Sequence, residues 1–241
     1  MKPRTSRFAW ALMALVLLLS LTATTAFAGG SARSYEVTIT NLTDQGQPFT
    51  PPVVVTHQSN FRLFNAGRPA SFALKEIAEN GNLAPMLDAL AANSRVSDVV
   101  VAVAGDPPPL MPGSSVTIEI EAGNRASLLS LVSMLICTND GFTGASRIRL
   151  PRQVGQTNTA YGVGYDAGTE INTEDFANLV PPCPVLTGVQ SNDPGTGTSD
   201  PSLAENGVVH MHGGILGIDD LDPAIHDWND PVMMVSVTRV N

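Results

Sequence analysis

Two short acidic segments hold the residues best suited to chemistry in this chain. Asp140 lies in Thr138-Asn139-Asp140-Gly141-Phe142-Thr143-Gly144, and Asp166-Ala167-Gly168-Thr169-Glu170 directly follows the segment Tyr161 to Tyr165. Carboxylates gathered on neighbouring loops repel one another unless a cation sits between them. Calcium suits oxygen ligands on irregular backbone, because it takes roughly six to eight of them in loose geometry, main-chain carbonyls included. Glycines beside each acid let the chain turn its carbonyls inward. The D-x-[DN]-x-[DN]-G order of an EF-hand is absent. The same residues also read as solvated loop acids and Asx-turns, and their types and spacing leave both readings open.

Two further groups compete for attention. His210 and His212 stand two apart in Val208-Val209-His210-Met211-His212-Gly213, so on a strand they share a face and can chelate a transition metal. That site wants a third ligand, for which His226 or His57 must converge; a polar pair on a solvated strand face is the simpler account. His212-Gly213-Gly214 is similar to an esterase oxyanion loop, yet no G-x-S-x-G nucleophile accompanies it, and a Ser-His-Asp triad would need the fold to bring separated residues together. Asp219, Asp220, Asp222, Asp227 and Asp230 surround Trp228, either as a second cation site or as loop acids and helix caps around an aromatic anchor. Arg147, Arg149 and Arg152 form the one basic group. Ile148 and Leu150 alternate with them, which describes a strand with a cationic outer face, open to a glycan, an acidic polymer or water alone.

The elements that must position these residues are mostly strands. Tyr35, Val37 and Ile39 alternate with Glu36, Thr38 and Thr40; Val53 to Thr56 is β-branched; Val99 to Val103 is apolar; Val116, Ile118 and Ile120 alternate again. Ser71 can cap a helix over Phe72 to Glu79 that stops at Gly81, and Pro85 opens a shorter piece through Ala92. Periodicity over Ala126 to Ile136 fits helix and strand alike. A turn at Asn124 argues for the strand, with 116–122 and 127–136 as a hairpin. Thr138 to Gly144 and Asp166 to Asp175 read as loops, Gln190 to Pro201 as a mobile surface loop, and Val208 to His212 and Val232 to Val240 as the last strands. Short strands at this spacing, joined by Gly and Pro turns, predict a mostly β, antiparallel sandwich with one or two short helices in a crossover.

Residues 1–28 carry Lys2, Arg4 and Arg7, an apolar run from Phe8 to Leu21 and a closing Ala26-Phe27-Ala28, the order of a secretory signal peptide. Removing them moves the formal net charge from -9 to -12 and leaves Lys75 as the single lysine of 29–241, read as one domain. So acidic a chain repels phosphate backbones, which excludes nucleic acid as a partner. No later apolar run reaches the length of a membrane span, so the expected product is secreted, either periplasmic or extracellular. Cys137 and Cys183 are the two cysteines; in an oxidising compartment an isolated pair is most simply a disulfide, the alternative being two buried thiols.

The stretch Ser127 to Phe142 (SLLSLVSMLICTNDGF), followed by Tyr165-Asp166-Ala167-Gly168-Thr169-Glu170, resembles the spondin N-terminal domain of the animal F-spondins, whose second segment reads W-D-A-G-T-D. The resemblance runs from about Tyr35 to Val240 and describes a stand-alone, bacterial form. It implies a C2-like antiparallel β-sandwich with a calcium ion at one end, the three carboxylate ligands falling on Asp140, Asp166 and Glu170. Glu170 replaces the family's Asp with a longer arm, and Gly141-Phe142 replaces a tryptophan-containing step. The functional expectation is a non-catalytic, calcium-binding interaction or adhesion module at the cell surface or in the extracellular matrix, with an extracellular protein or glycan as partner. The competing expectation is an exported metal-dependent enzyme using His210 and His212.

Overall fold

Burial with a period of two builds the frame. In β1 (Arg33–Asn41) the side chains of Tyr35, Val37 and Ile39 are wholly buried while Glu36 faces out. The computed structural model describes residues 32–105 and 109–241, so the expected leader over 1–28 and most of the triple proline at 107–109 lie outside the described residues.

β1 pairs with β4 (Ser115–Ala122) on one side and β9 (Met233–Arg239) on the other. In the second layer β2 (Val53–His57) lies between β3 (Val96–Val101) and β5 (Leu128–Met134), and β5 continues to β6 (Gly141–Arg149). One strand belongs to both layers. β7 (Thr157–Asp166) pairs with β9 over Thr157–Gly162, then with β6 over Val163–Asp166, where the short β8 (His210–Met211) also joins it. Every pairing is antiparallel, in the order β3-β2-β5-β6-β7-β9-β1-β4. The edge strands meet through side chains: Glu121 N–H donates to Asp98 Oδ2 and Gly123 N–H to Ser97 Oγ, each at 2.8 Å. The sheet is therefore nearly closed and sandwich-like.

The change of sheet at β7 depends on glycine. A Cβ on Gly162 would stand 2.7 Å from Met233 Cε and 2.9 Å from the Gly144 carbonyl oxygen; one on Gly164 would stand 2.7 Å from the Trp228 indole nitrogen. With only hydrogen there, the strand passes close enough to both neighbours to bend across.

Most predicted elements are present, with three departures. The hairpin expected between 116–122 and 127–136 does not form: β4 pairs with β1, and β5 with β2 and β6. All seven residues of β5 are buried, so it needs neighbours on both edges and both faces, and the 123–127 connection carries the chain between layers. That burial also explains its ambiguous periodicity. The loop expected over Thr138 to Gly144 is a turn only to Asp140, since Gly141 to Gly144 already pair with β7. The strand expected over Val208 to His212 keeps only two of its five residues, His210 and Met211, as β8. The two helices are as expected: α1 (Phe72–Asn80) is capped by Ser71 Oγ, which accepts from Leu74 N–H, and ends at left-handed Gly81, while α2 (Ala84–Ala91) begins with Pro85 in its first turn. Two more short helices, α3 (Pro182–Thr187) and α4 (Pro223–His226), lie in the C-terminal third.

Cys137 and Cys183 are bridged, with Cα atoms 5.2 Å apart and both side chains fully buried. Beside the bridge, the Gln47 amide donates to the Cys137 and His226 carbonyls at 3.1 and 2.7 Å and accepts from Cys137 N–H at 3.2 Å. Replacing both cysteines with alanine should cost about 3–4 kcal/mol in urea denaturation, the loop-closure estimate for this span. Thiol labelling of the denatured, unreduced protein should leave both cysteines unreacted.

Candidate metal centre

Asp140 sits in the tight turn from β5 into β6. Thr138 shapes that turn: its hydroxyl donates to the Leu135 carbonyl at 2.6 Å and accepts from Gly141 N–H at 2.9 Å. A Cβ on Gly141 would fall 2.3 Å from the same hydroxyl oxygen, so no side chain fits next to the acid. The result is a fully buried carboxylate aimed inward.

The loop after β7 closes over it. Thr169 N–H, Thr169 Oγ1–H and Glu170 N–H all donate to Asp140 Oδ2, at 2.7, 3.1 and 3.1 Å, and Ala167 N–H donates to the Asp140 carbonyl at 3.1 Å. Asp140 Oδ1 is buried and has no hydrogen-bond partner. Burial, then the nearby Asp166 charge, pushes the Asp140 carboxyl up to about 7 despite its three donors. Glu170 is pushed up to about 8, first by burial, then by Glu79 and Asp140. Asp166 is buried beside them; its Oδ1 accepts from Gly168 N–H and its Oδ2 from the Asn172 amide, both at 2.7 Å. Each of these oxygens keeps a second lone pair.

The fold thus draws Asp140, Asp166 and Glu170 into one buried acidic region, with Lys75 the one cation that eases Glu170. It stops short of a closed cage. Among the described residues, three ligand atoms of His, Cys, Asp or Glu come within 4.8 Å of one another in two groups, Cys137-Cys183-His226 and Asp175-Asp193-Asp220. The first is a disulfide beside an imidazole, with no thiolate to offer. In the second, Asp175 already accepts from Ala177 N–H and Asp220 from Phe176 N–H. The Asp140 region fits a divalent cation on separate grounds: an orphaned buried carboxylate oxygen, two more buried acids, and oxygen donors of the hard type calcium prefers.

Glu79, Glu174 and Asn139 belong to this end and escaped the sequence reading. Glu79, on α1, is buried with its Oε1 lacking a hydrogen bond and Lys75 Nζ 3.6 Å away; the Lys75/Glu79 spacing of four was its legible signal. Glu174, in a left-handed conformation at φ 60°, takes the N–H groups of Leu216, Gly217 and Ile218 at 2.7, 2.7 and 2.9 Å and so anchors the 214–218 loop. Asn139 Oδ1 holds Thr173 and Glu174 N–H at 3.1 and 3.3 Å.

His210 and His212 take different roles. His210 Nδ1 lies 3.7 Å from Asp166 Oδ1, on an exposed side chain. His212 Nδ1 accepts from Gly214 N–H at 3.0 Å, which leaves the proton on a buried, unpartnered Nε2, and its ring packs on Trp228 with centroids 5.0 Å apart. His57 Nε2 lies 2.8 Å from Ser130 Oγ, but its Nδ1 faces the Gln58 carbonyl rather than an acid, and both side chains are fully buried. Four of the five acids around Trp228 have structural partners: Asp220 accepts from Phe176 N–H, Asp222 caps α4, Asp227 Oδ1 accepts from Ile215 N–H, and Asp230 Oδ1 from Gly164 N–H.

A family model described as Spondin_N matches residues 40–179, more than half of the chain, and that range contains Cys137, Asp140, Asp166 and Glu170 but neither Cys183 nor the histidines at 210 and 212. No curated protein matches the chain.

Two outcomes follow from this geometry. The raised carboxyls bind protons in the folded chain that the unfolded chain releases near pH 4, so folding stability must fall as pH rises through the folded values. The buried histidines work in the opposite sense, their lowered values costing stability only below about 6.5. In chelator, the Tm should therefore fall between about pH 6.5 and pH 8, and Asp140→Asn should flatten that slope in a calorimetric scan. Gly168 sits at φ +67°, and a Cβ on it would stand 2.6 Å from Val208 N and 2.7 Å from the Val208 carbonyl oxygen, so it tolerates no side chain. Gly168→Ala should lose about 3 kcal/mol or more in denaturant titration.

Proposed function

The chain belongs to the spondin N-terminal domain family, an extracellular type of domain, and from that premise we propose that it is an exported, calcium-binding β-sandwich that serves as a non-catalytic interaction module. Residues 1–28 act as the leader and 29–241 as the working domain. Export is supported by the internal disulfide, which persists in oxidising compartments, and no helix among the described residues is long and apolar enough to cross a membrane.

The observation that carries the calcium reading is the buried Asp140 carboxylate, with one oxygen saturated by three donors and the other bare. Asp140, Asp166 and Glu170 would hold the ion. Its charge would offset the repulsion among carboxylates that share a site with little solvent. The chain's own contribution is positional. Thr138 fixes the turn, Thr169 and Glu170 lend their N–H groups to Asp140, Gly168 and Asn172 orient Asp166, and Glu174 ties down the adjoining loop. Calcium on this reading is a staple for surface loops, and those loops then present a defined face to an extracellular protein or glycan, as adhesion modules do.

Thermal melts of the 29–241 protein test this directly. With calcium about a hundredfold above its Kd, linkage predicts about 2.7 kcal/mol of stabilisation, roughly 5–10 °C in Tm for a chain of this size. Asp166→Asn should abolish most of the shift while leaving the chelated protein folded. A Tm unmoved by millimolar calcium would overturn the reading.

A further inference from the structure

β6 has two ends, and they differ in charge. The buried acids stand at its start, beside Gly141; Arg147 and Arg149 stand at its finish, roughly 25 Å away by strand rise. At that far end β6 stays with β5 while the first half of β7 runs with β9, so the two strands part and leave a groove between the layers. The opening has a volume of about 910 Å³, and a second of about 440 Å³ adjoins it, sharing Arg147, Arg149 and Asn158. The second opening extends along β6 and β7 to Tyr161.

The groove's lining is rich in arginine. Residues 29–241 contain ten basic side chains, and four of them, Arg33, Arg147, Arg149 and Arg152, line this groove. No carboxylate among the described residues lines either opening. Among the described residues, no arginine lies within 4.0 Å of an Asp or Glu carboxylate, although in 29–241 such acids outnumber bases by more than two to one. The arginines are instead set by backbone carbonyls: an Arg33 terminal nitrogen donates to Gly123 O at 2.9 Å, and Arg147 donates to Ser59 O. Arg33 Nε is buried and unpartnered. The buried Leu128 and Leu150 line the first opening with Gln156 and Asn158, and the exposed Tyr161 lines the second with Asn158.

We propose that this groove binds a linear, carboxylate-bearing polysaccharide of the uronate type. The proposal rests on the reading of the chain as an exported interaction module and names the partner class. Arginine forks match carboxylates bidentately, amide side chains match sugar hydroxyls, and an exposed tyrosine offers a flat apolar face with a polar tip. One charge per sugar suits a few spaced arginines on an acidic protein better than the dense phosphates of a duplex. The acids at the other end of β6 lie beyond the roughly 8 Å reach of unscreened charge at physiological salt. A peptide adding as a strand is disfavoured, because the Asn158 amide already occupies the Arg149 carbonyl on the open edge of β6, at 2.7 Å.

The test is calorimetric titration of the 29–241 protein with a short oligogalacturonate, in chelator and with circular dichroism confirming the fold. Neutral dextran and oligoglutamate serve as the competing probes. Binding should weaken about tenfold in Arg149→Gln/Arg152→Gln, whose side chains make no hydrogen bond among the described residues, and stay unchanged in Arg62→Gln/Arg68→Gln, which alters net charge equally outside the groove. Absence of oligogalacturonate binding, equal weakening in both pairs, or oligoglutamate binding as tight as the sugar would overturn the proposal. Since the titration contains no calcium, its failure leaves the calcium melts untouched, and a failed calcium shift leaves this result standing.

Discussion

A carboxylate buried without a cationic partner dictates how one end of this sandwich is built. Taking Asp140 out of water is costly, and the cost falls only when donors are brought to it. The chain supplies them by folding the loop after β7 across the β5–β6 turn, so that Thr169 and Glu170 donate to one oxygen. That closure pulls Asp166 and Glu170 into the same poorly solvated region and raises the repulsion it was built to relieve. The arrangement is consistent with a site completed by a positive charge.

The second constraint is the passage of β7 between layers. Its last four residues place Asp166 beside the start of β6, and its first six leave β6 to follow β9. One strand therefore creates both features of interest: it closes the acidic end and opens the cationic groove at the other. Gly162 and Gly164 permit the crossing by removing the atoms that would collide with Met233 and Trp228. Loops of the C-terminal third then wrap the acidic end, held by side-chain carboxylates on backbone N–H groups, as Glu174 holds 216–218 and Asp227 holds Ile215. Much of the chain's surplus of acid has this mechanical use.

Strands with one wet face were legible residue by residue, since alternation in Tyr35-Val37-Ile39 reports which side meets water. The helix at 72–80 was legible from its cap and its stop, because both are local chemistry. β5 was legible as an element and not in its pairing: once both faces are buried, alternation vanishes and nothing local names the neighbours. The pairing of Cys137 with Cys183 needed only counting, as two cysteines allow one bond. At the acidic end, D-A-G-T-E marked Asp166 and Glu170, while Glu79 had only its spacing from Lys75 and Glu174 no motif at all, since burial and distant backbone donors place them there.

What the sequence determined by itself was composition-bound and local: the excess of acid, the turn glycines, the alternating strands, the capped helix and the lone cysteine pair. These depend on neighbours a few residues apart, which the chain order specifies directly. Only the tertiary structure decided that β4 and β5 lie in different layers, that Asp140 keeps one bare oxygen, that Gly214 sets the tautomer of His212, and that Arg33 joins Arg147, Arg149 and Arg152 around one groove. Each of those facts depends on distance between residues tens of positions apart, and on the exclusion of water from between them, which is a property of packing and not of order along the chain.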